Sequence, residues 1–171
     1  MLVNASLYKE EIIKNMAKIQ YDIQYQFYYS GRGRGEFNLA CEYWDRDFAS
    51  IDSEGKLIGY ISYKLDSSCN CAYGFGAVNF TDNSMLFGND LGNAIIDIFE
   101  KYNLDKIEFH CYNGNPIMKN YKRLCSKFNG REVGYFKRGA RLLDGKIYDR
   151  HMFEIMREDF YKAYNPKKKE Q

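Results

Sequence analysis

The sequence predicts an α+β domain, a single mixed and mostly antiparallel sheet flanked by helices, with a central βαβ unit. Three observations carry this. Strand-like segments and helical stripes interleave along the chain. AYGFGAVNF (72–80) and KIEFHCY (106–112) bracket the clearest amphipathic helix, so they are expected as parallel neighbours joined by a right-handed crossover. REVGYFKRGARLL (131–143) and KIYDRHMFEIM (146–156) are joined by Asp144-Gly145, a strong hairpin signal.

Residues 6–28 carry Ile12, Met16, Ile19, Ile23 and Phe27, whose spacing marks one helical face. The glycine-rich SGRGRGEFN (30–38) ends that pattern. Phe48–Ile51 reads as a short strand, Ser53-Glu54-Gly55-Lys56 as a turn and LIGYISYKL (57–65) as a strand, together an antiparallel hairpin. In FGNDLGNAIIDIF (87–99) a glycine-spaced stretch is expected to open a helix whose stripe is Leu91, Ala94, Ile95, Ile98, Phe99 and Tyr102. Asp90 stands at its mouth, where a carboxylate would cap the free N–H groups. Asn115-Pro116 starts the next helix, a capping residue followed by proline; Ile117, Tyr121, Leu124, Cys125 and Phe128 form its stripe, and Asn129-Gly130 ends it. One domain over 1–165 is expected, followed by a flexible basic tail, 166–171.

Composition excludes some classes. With 45% apolar residues the chain has enough material for a core, and a net charge of +2 gives little support for a nucleic-acid or membrane partner. No apolar run has the length of a membrane span, and polar residues follow Met1-Leu2-Val3 where a secretory leader would be apolar. Five cysteines without an export signal are expected as reduced thiols in a cytoplasmic protein. Cys69-x-Cys71 has too short a spacer for a zinc motif, so no metal is expected. GRGRGE (31–36) fits neither a dinucleotide fingerprint nor a P-loop, and reads as a solvated loop.

GNPIMKNYKRLCSKFNGREVGY (114–135), the Asp144-Gly145-Lys146 turn, the following strand and, more weakly, the EGKLIGYISYKLD hairpin (54–66) resemble the GNAT superfamily of acyl-CoA-dependent N-acetyltransferases. The resemblance implies an enzyme moving an acetyl group from acetyl-CoA directly to an amine, and admits a homodimer. It implies that pantetheine runs along the fourth strand near Val78. The pyrophosphate would meet backbone N–H groups around Gly88, Asn89, Asp90, Gly92 and Asn93. In the family's loop Phe87 occupies the usual Arg/Gln position, Asp90 the first glycine, and Gly92 matches the third signature position. Asn115 corresponds to an asparagine that contacts the cofactor. Tyr121 corresponds to the tyrosine that protonates the leaving thiolate, with Tyr112 as the alternative.

A base is needed to free the amine of its proton. The fourth strand has no acid, so Glu108 and His110, which share one face of 106–112, are the candidates, with Asp82 a third. Glu36 and Glu42 fall where acceptors are gripped in relatives and would meet a cationic amine, whether a small amine or a peptide amine. Against these stand plainer readings: Asp90 as a helix cap, Tyr121 as core, and His110 as a structural histidine. The departures at Phe87 and Asp90 sustain a second function, a GNAT-like binding module with weakened or lost cofactor binding.

Overall fold

A computed structural model describes residues 1–28, 37–39 and 42–164. Among the described residues seven strands form one sheet: β1 (Leu2–Asn4), β2 (Asp45–Ile51), β3 (Leu57–Asp66), β4 (Cys71–Asn79), β5 (Lys106–Tyr112), β6 (Arg131–Arg141) and β7 (Ile147–Met156). Their spatial order is β1-β2-β3-β4-β5-β7-β6, antiparallel throughout except for β4 and β5. The α-helices that cover it, among the described residues, are α1 (Lys9–Ile19), α2 (Ser84–Tyr102), α3 (Ile117–Phe128) and α4 (Arg157–Ala163). The expected α+β class and the parallel βαβ unit are both present.

Alternation places the apolar residues. Ile61 and Tyr63 of β3, Phe75 and Ala77 of β4, Ile107 and Phe109 of β5, and Phe153 and Ile155 of β7 point to one face, where α2, α3 and α4 bury them. The opposite face of the first strands takes a smaller cluster, in which Ile12, Met16 and Ile19 of α1 pack on Ala49, Tyr60 and Val78. Gly59 allows α2 to come close: a Cβ there would lie 2.5 Å from both the Phe87 ring and the Val78 carbonyl.

Several elements differ from expectation. The helix predicted over 6–28 is α1 flanked by 3-10 segments, Ala5–Tyr8 and Ile23–Tyr28. Asp22 marks the break, accepting a bond from the Gln24 N–H at 2.9 Å, and the Ile-Gln-Tyr-Gln-Phe-Tyr run that follows is rich in weak helix formers. Strand β2 begins at Asp45 rather than Phe48 because β3 pairs with it from Lys64 onward. Strand β1 and helix α4 were not expected at all.

The largest correction concerns α2, which starts at Ser84, not after the glycines. Its cap is Asn83, whose side chain accepts from the Leu86 N–H at 3.2 Å. FGNDLGN is thus helix rather than loop. Asp90 lies in its second turn as part of the buried stripe Phe87, Asp90, Leu91, Ala94, Ile95, Ile98, Phe99.

Candidate active site

Strands β4 and β5 pair only at Cys71–Lys106 and Ala72–Ile107. Beyond Ala72 they part. From there β4 keeps its partner β3, through Val78 opposite Tyr60 and Gly76 opposite Ser62, and β5 keeps its partner β7 as far as Tyr112 opposite Arg150. The edges that face each other across the gap leave backbone groups open to an extended ligand, as in strand addition. Val78 stands on this length of β4, its side chain packed toward α1.

On the helical side, a cleft of about 1190 Å³ runs between α2, α3 and α4. One wall is α2 through Ser84, Gly88, Asn89, Gly92, Asn93 and Ile96; Arg123 and Lys127 of α3 and Lys162 of α4 supply cations opposite. A Cβ added at Gly88 or Gly92 would meet nothing within 4 Å. These glycines therefore satisfy no packing need of this chain, and they leave the helix backbone bare toward the cleft. The N-terminal end of α2, the positive end of its dipole, opens there and carries no acid in its first turn. Together the bare helix, the cations and the size of the cleft suit a large phosphorylated ligand.

Asp90 is not among the lining residues. It is 3% exposed, and its Oδ2 accepts from the Ser50 hydroxyl at 2.7 Å and from the Met1 amino group at 2.9 Å. It neither caps the helix nor competes for a ligand; it ties α2 to β2. This corrects its assignment as a cofactor contact.

Tyr121 projects from α3 into the aromatic core, edge-on to Phe109 with ring centroids 4.7 Å apart and to Phe153 at 6.0 Å. Burial raises its hydroxyl well above the ordinary tyrosine value, and nearby Cys111 and Tyr28 raise it further. Tyr28 belongs to a 3-10 segment set against β4. Asn115 stands just before Pro116, the cap residue of α3, and its Oδ1 accepts from the Ile117 N–H at 3.0 Å, ordering the start of the helix.

The two base candidates differ in availability. Glu108 is paired with Lys106 on its own strand. His110 is half-buried, its ring edge-on to Tyr112 at 6.1 Å, and burial together with the Arg150 charge lowers its pKa, so its imidazole is neutral at pH 7. Asp82 is exposed in the turn before α2, its carbonyl accepting from the Ser84 N–H. Glu42 is exposed just before β2, and its backbone N–H bonds Asp45 at 3.2 Å. Glu36 and the GRGRGE stretch lie outside the described residues.

Reading the sequence alone missed three features. Asp47 of β2 lies in a cross-strand row with Ser62 of β3 and Gly76 of β4, and this row leads to the open edge. The Tyr60 hydroxyl donates to Asp47, and burial followed by this carboxylate raises Tyr60 strongly. Arg123 and Lys127 had a signal, a pair of cations at i,i+4 off the apolar stripe of α3. His151 of β7, whose Nδ1 lies 2.6 Å from Glu132 Oε1, had none, since the pairing depends on the β6–β7 register. Among the described residues no group of three or more His, Cys, Asp or Glu is placed to hold a metal ion. No helix among them is long and apolar enough to cross a membrane.

No protein-family model and no curated protein sequence matches this chain. Solved structures do. The spermidine N-acetyltransferase of Vibrio cholerae in complex with CoA and spermine superposes with a TM-score of 0.75 over 94% of this chain and 96% of its own, at 15% identity. The spermidine/spermine N-acetyltransferase SpeG of the same organism, in complex with manganese ions, gives a TM-score of 0.61 over 72% of each chain at 20% identity. At these identities the likeness is one of fold: the chain has the fold of these GNAT acetyltransferases.

Proposed function

We propose that this chain is an acyl-CoA-dependent N-acetyltransferase that uses acetyl-CoA and acts on a cationic amine of the polyamine class. The observation that carries the reading is the split between β4 and β5, open along Val78, in a sheet whose covering helices α2, α3 and α4 enclose a cation-lined cleft. Enzymes of this fold with the same activity, one of them bound to CoA and spermine, support it.

The cleft fits the donor. Gly88 and Gly92 leave room against α2, Asn89 and Asn93 flank them with amide donors, and Arg123 and Lys127 face the space where phosphates would lie. The open edge of β4 near Val78 offers main-chain bonds to the pantetheine amides. Asn115, whose carboxamide oxygen is committed to Ile117, has only its N–H donors to give. When bound, acetyl-CoA supplies an activated acetyl thioester.

The chain's own residues supply the proton chemistry. Tyr121 keeps its proton through the neutral range because burial disfavours the phenolate, and it donates that proton where a thiolate leaves. His110 is neutral and has a lone pair to accept the amine's proton; Glu108, held by Lys106, balances charge nearby. A polyamine is cationic, and Asp47, set in the row leading to the split, provides complementary charge, with the exposed Glu42 just before β2 a second carboxylate.

The test is transfer itself. Incubation with acetyl-CoA and spermidine should yield acetylspermidine and free CoA, both visible by mass spectrometry. If spermidine remains unmodified while another amine is acetylated, the acceptor class is wrong. If no amine is acetylated and acetyl-CoA leaves the melting temperature unchanged, the binding-module reading replaces the enzyme. That second reading has one observation of its own: the Asn83 carboxamide already occupies a donor at the start of α2.

A further inference from the structure

Cys69 and Cys71 stand apart from the chemistry above, and they are set where the sheet begins to split. Cys69 is exposed in the turn from β3 to β4, whereas Cys71 is the first residue of β4 and is buried. Their sulfurs are 3.2 Å apart. Asn70 between them has φ +48°, a left-handed conformation that bends the chain and brings both side chains to one side. A disulfide requires the sulfurs at about 2.05 Å, so closure needs an approach of roughly 1 Å, within reach of small side-chain rotations.

The pair is joined to the one place where β4 meets β5. Cys71 pairs with Lys106, and the Asn70 carbonyl accepts from the Asp105 N–H at 2.8 Å. We infer that Cys69 and Cys71 form a reversible dithiol–disulfide couple, a modification site for hydroperoxides at the vertex of the split.

The division of labour follows from exposure. Cys69 meets the oxidant. Burial, and the sulfur of Cys69, push the Cys71 thiol up to about 12, so it stays protonated and unreactive until its neighbour is oxidised. In the first step the Cys69 sulfur attacks one oxygen of the peroxide; the O–O bond breaks, and the leaving oxygen departs protonated as an alcohol or water. Cys69 is now a sulfenic acid. In the second step the Cys71 sulfur attacks the Cys69 sulfur, the S–O bond breaks, and the hydroxide leaves as water with the proton Cys71 gives up. Two thiols lose two hydrogens and two electrons, and the peroxide is reduced by the same two electrons.

Trypsin should release both cysteines in one peptide, residues 65–101, which contains no other cysteine and no internal lysine or arginine. The folded protein is treated with hydrogen peroxide, alkylated with iodoacetamide under denaturing conditions and mapped. The couple predicts that this peptide loses two hydrogens and takes up no alkyl group, and that dithiothreitol restores double alkylation. In Cys71→Ser, Cys69 should instead accumulate as sulfenic or sulfinic acid. The inference is overturned if both thiols of the wild-type peptide remain alkylatable, or if Cys69 is over-oxidised or joined to a second chain while Cys71 stays free.

Discussion

Strand β5 has two very different borders. Toward β7 its ladder is continuous from Lys106–Met156 to Tyr112–Arg150, and the Phe109–Phe153 pair stacks across it at 5.5 Å. Toward β4 it closes at two positions and then opens. The closed border spends its backbone groups on stability. The open one holds donors and acceptors in reserve, and the candidate acid and base, Tyr121 and His110, both belong with β5 and the helix packed on it. One strand thus serves as both anchor and ligand-facing edge, because a strand has two hydrogen-bonding edges and β4 diverges from one of them after Ala72–Ile107.

This contrast can be broken from either side. On the open border, Tyr121→Phe should leave the fold intact and cut acetyl transfer by about 10²–10⁴-fold, with little change in acetyl-CoA affinity; steady-state kinetics with unchanged turnover would remove Tyr121 from the mechanism. On the closed border, Phe153→Ala should cost about 3–5 kcal/mol of unfolding free energy through the cavity it leaves against Phe109 and Tyr121. A loss below about 1 kcal/mol in urea melts would show that this border is not the anchor. Asp90→Ala strands the buried Ser50 hydroxyl and should destabilise by about 1–3 kcal/mol while leaving acetyl-CoA binding as it was. A gain in affinity would return Asp90 to the cofactor site.

Two smaller effects sharpen the comparison. Gly88→Ala and Gly92→Ala each add a methyl where nothing of this chain stands, so each should stabilise the helix by about 0.5–1 kcal/mol. Each should also weaken acetyl-CoA, a loss that a purely structural role for these glycines would not produce. His110 titrates with a lowered pKa, so the unfolded chain binds its proton more tightly than the folded one. Stability should therefore fall as pH drops from the ordinary value of 6.5 toward the lowered one, and His110→Gln should flatten that slope in melts across this range.

Much of the fold was legible because its signals are local. β-Branched and aromatic runs bounded by turn residues located β3 to β5, Asp144-Gly145 made the β6–β7 hairpin, where Gly145 adopts φ +79°, and Asn115-Pro116 opened α3. The start of α2 was misread for an equally physical reason. Glycines and an aspartate usually signal a loop and a cap, but Asp90 falls on the buried stripe with Phe87 and Leu91, and its partner Ser50 is forty residues away in sequence. A carboxylate on an apolar stripe is a signal for a buried pair, and Phe87 at the preceding stripe position was the clue. The site was less legible than the fold. Tyr121 and Asn115 stand out by motif, but the Asp47–Ser62–Gly76 row exists only once three strands are in register.

The claim that the split and the helical cleft hold acetyl-CoA is tested most directly by titrating acetyl-CoA into the wild-type protein while following its stability. At about one hundred times the dissociation constant, saturable binding should add about 2.7 kcal/mol, with a weaker effect in Gly92→Ala. A wild-type melting curve that does not move at millimolar acetyl-CoA would contradict the account.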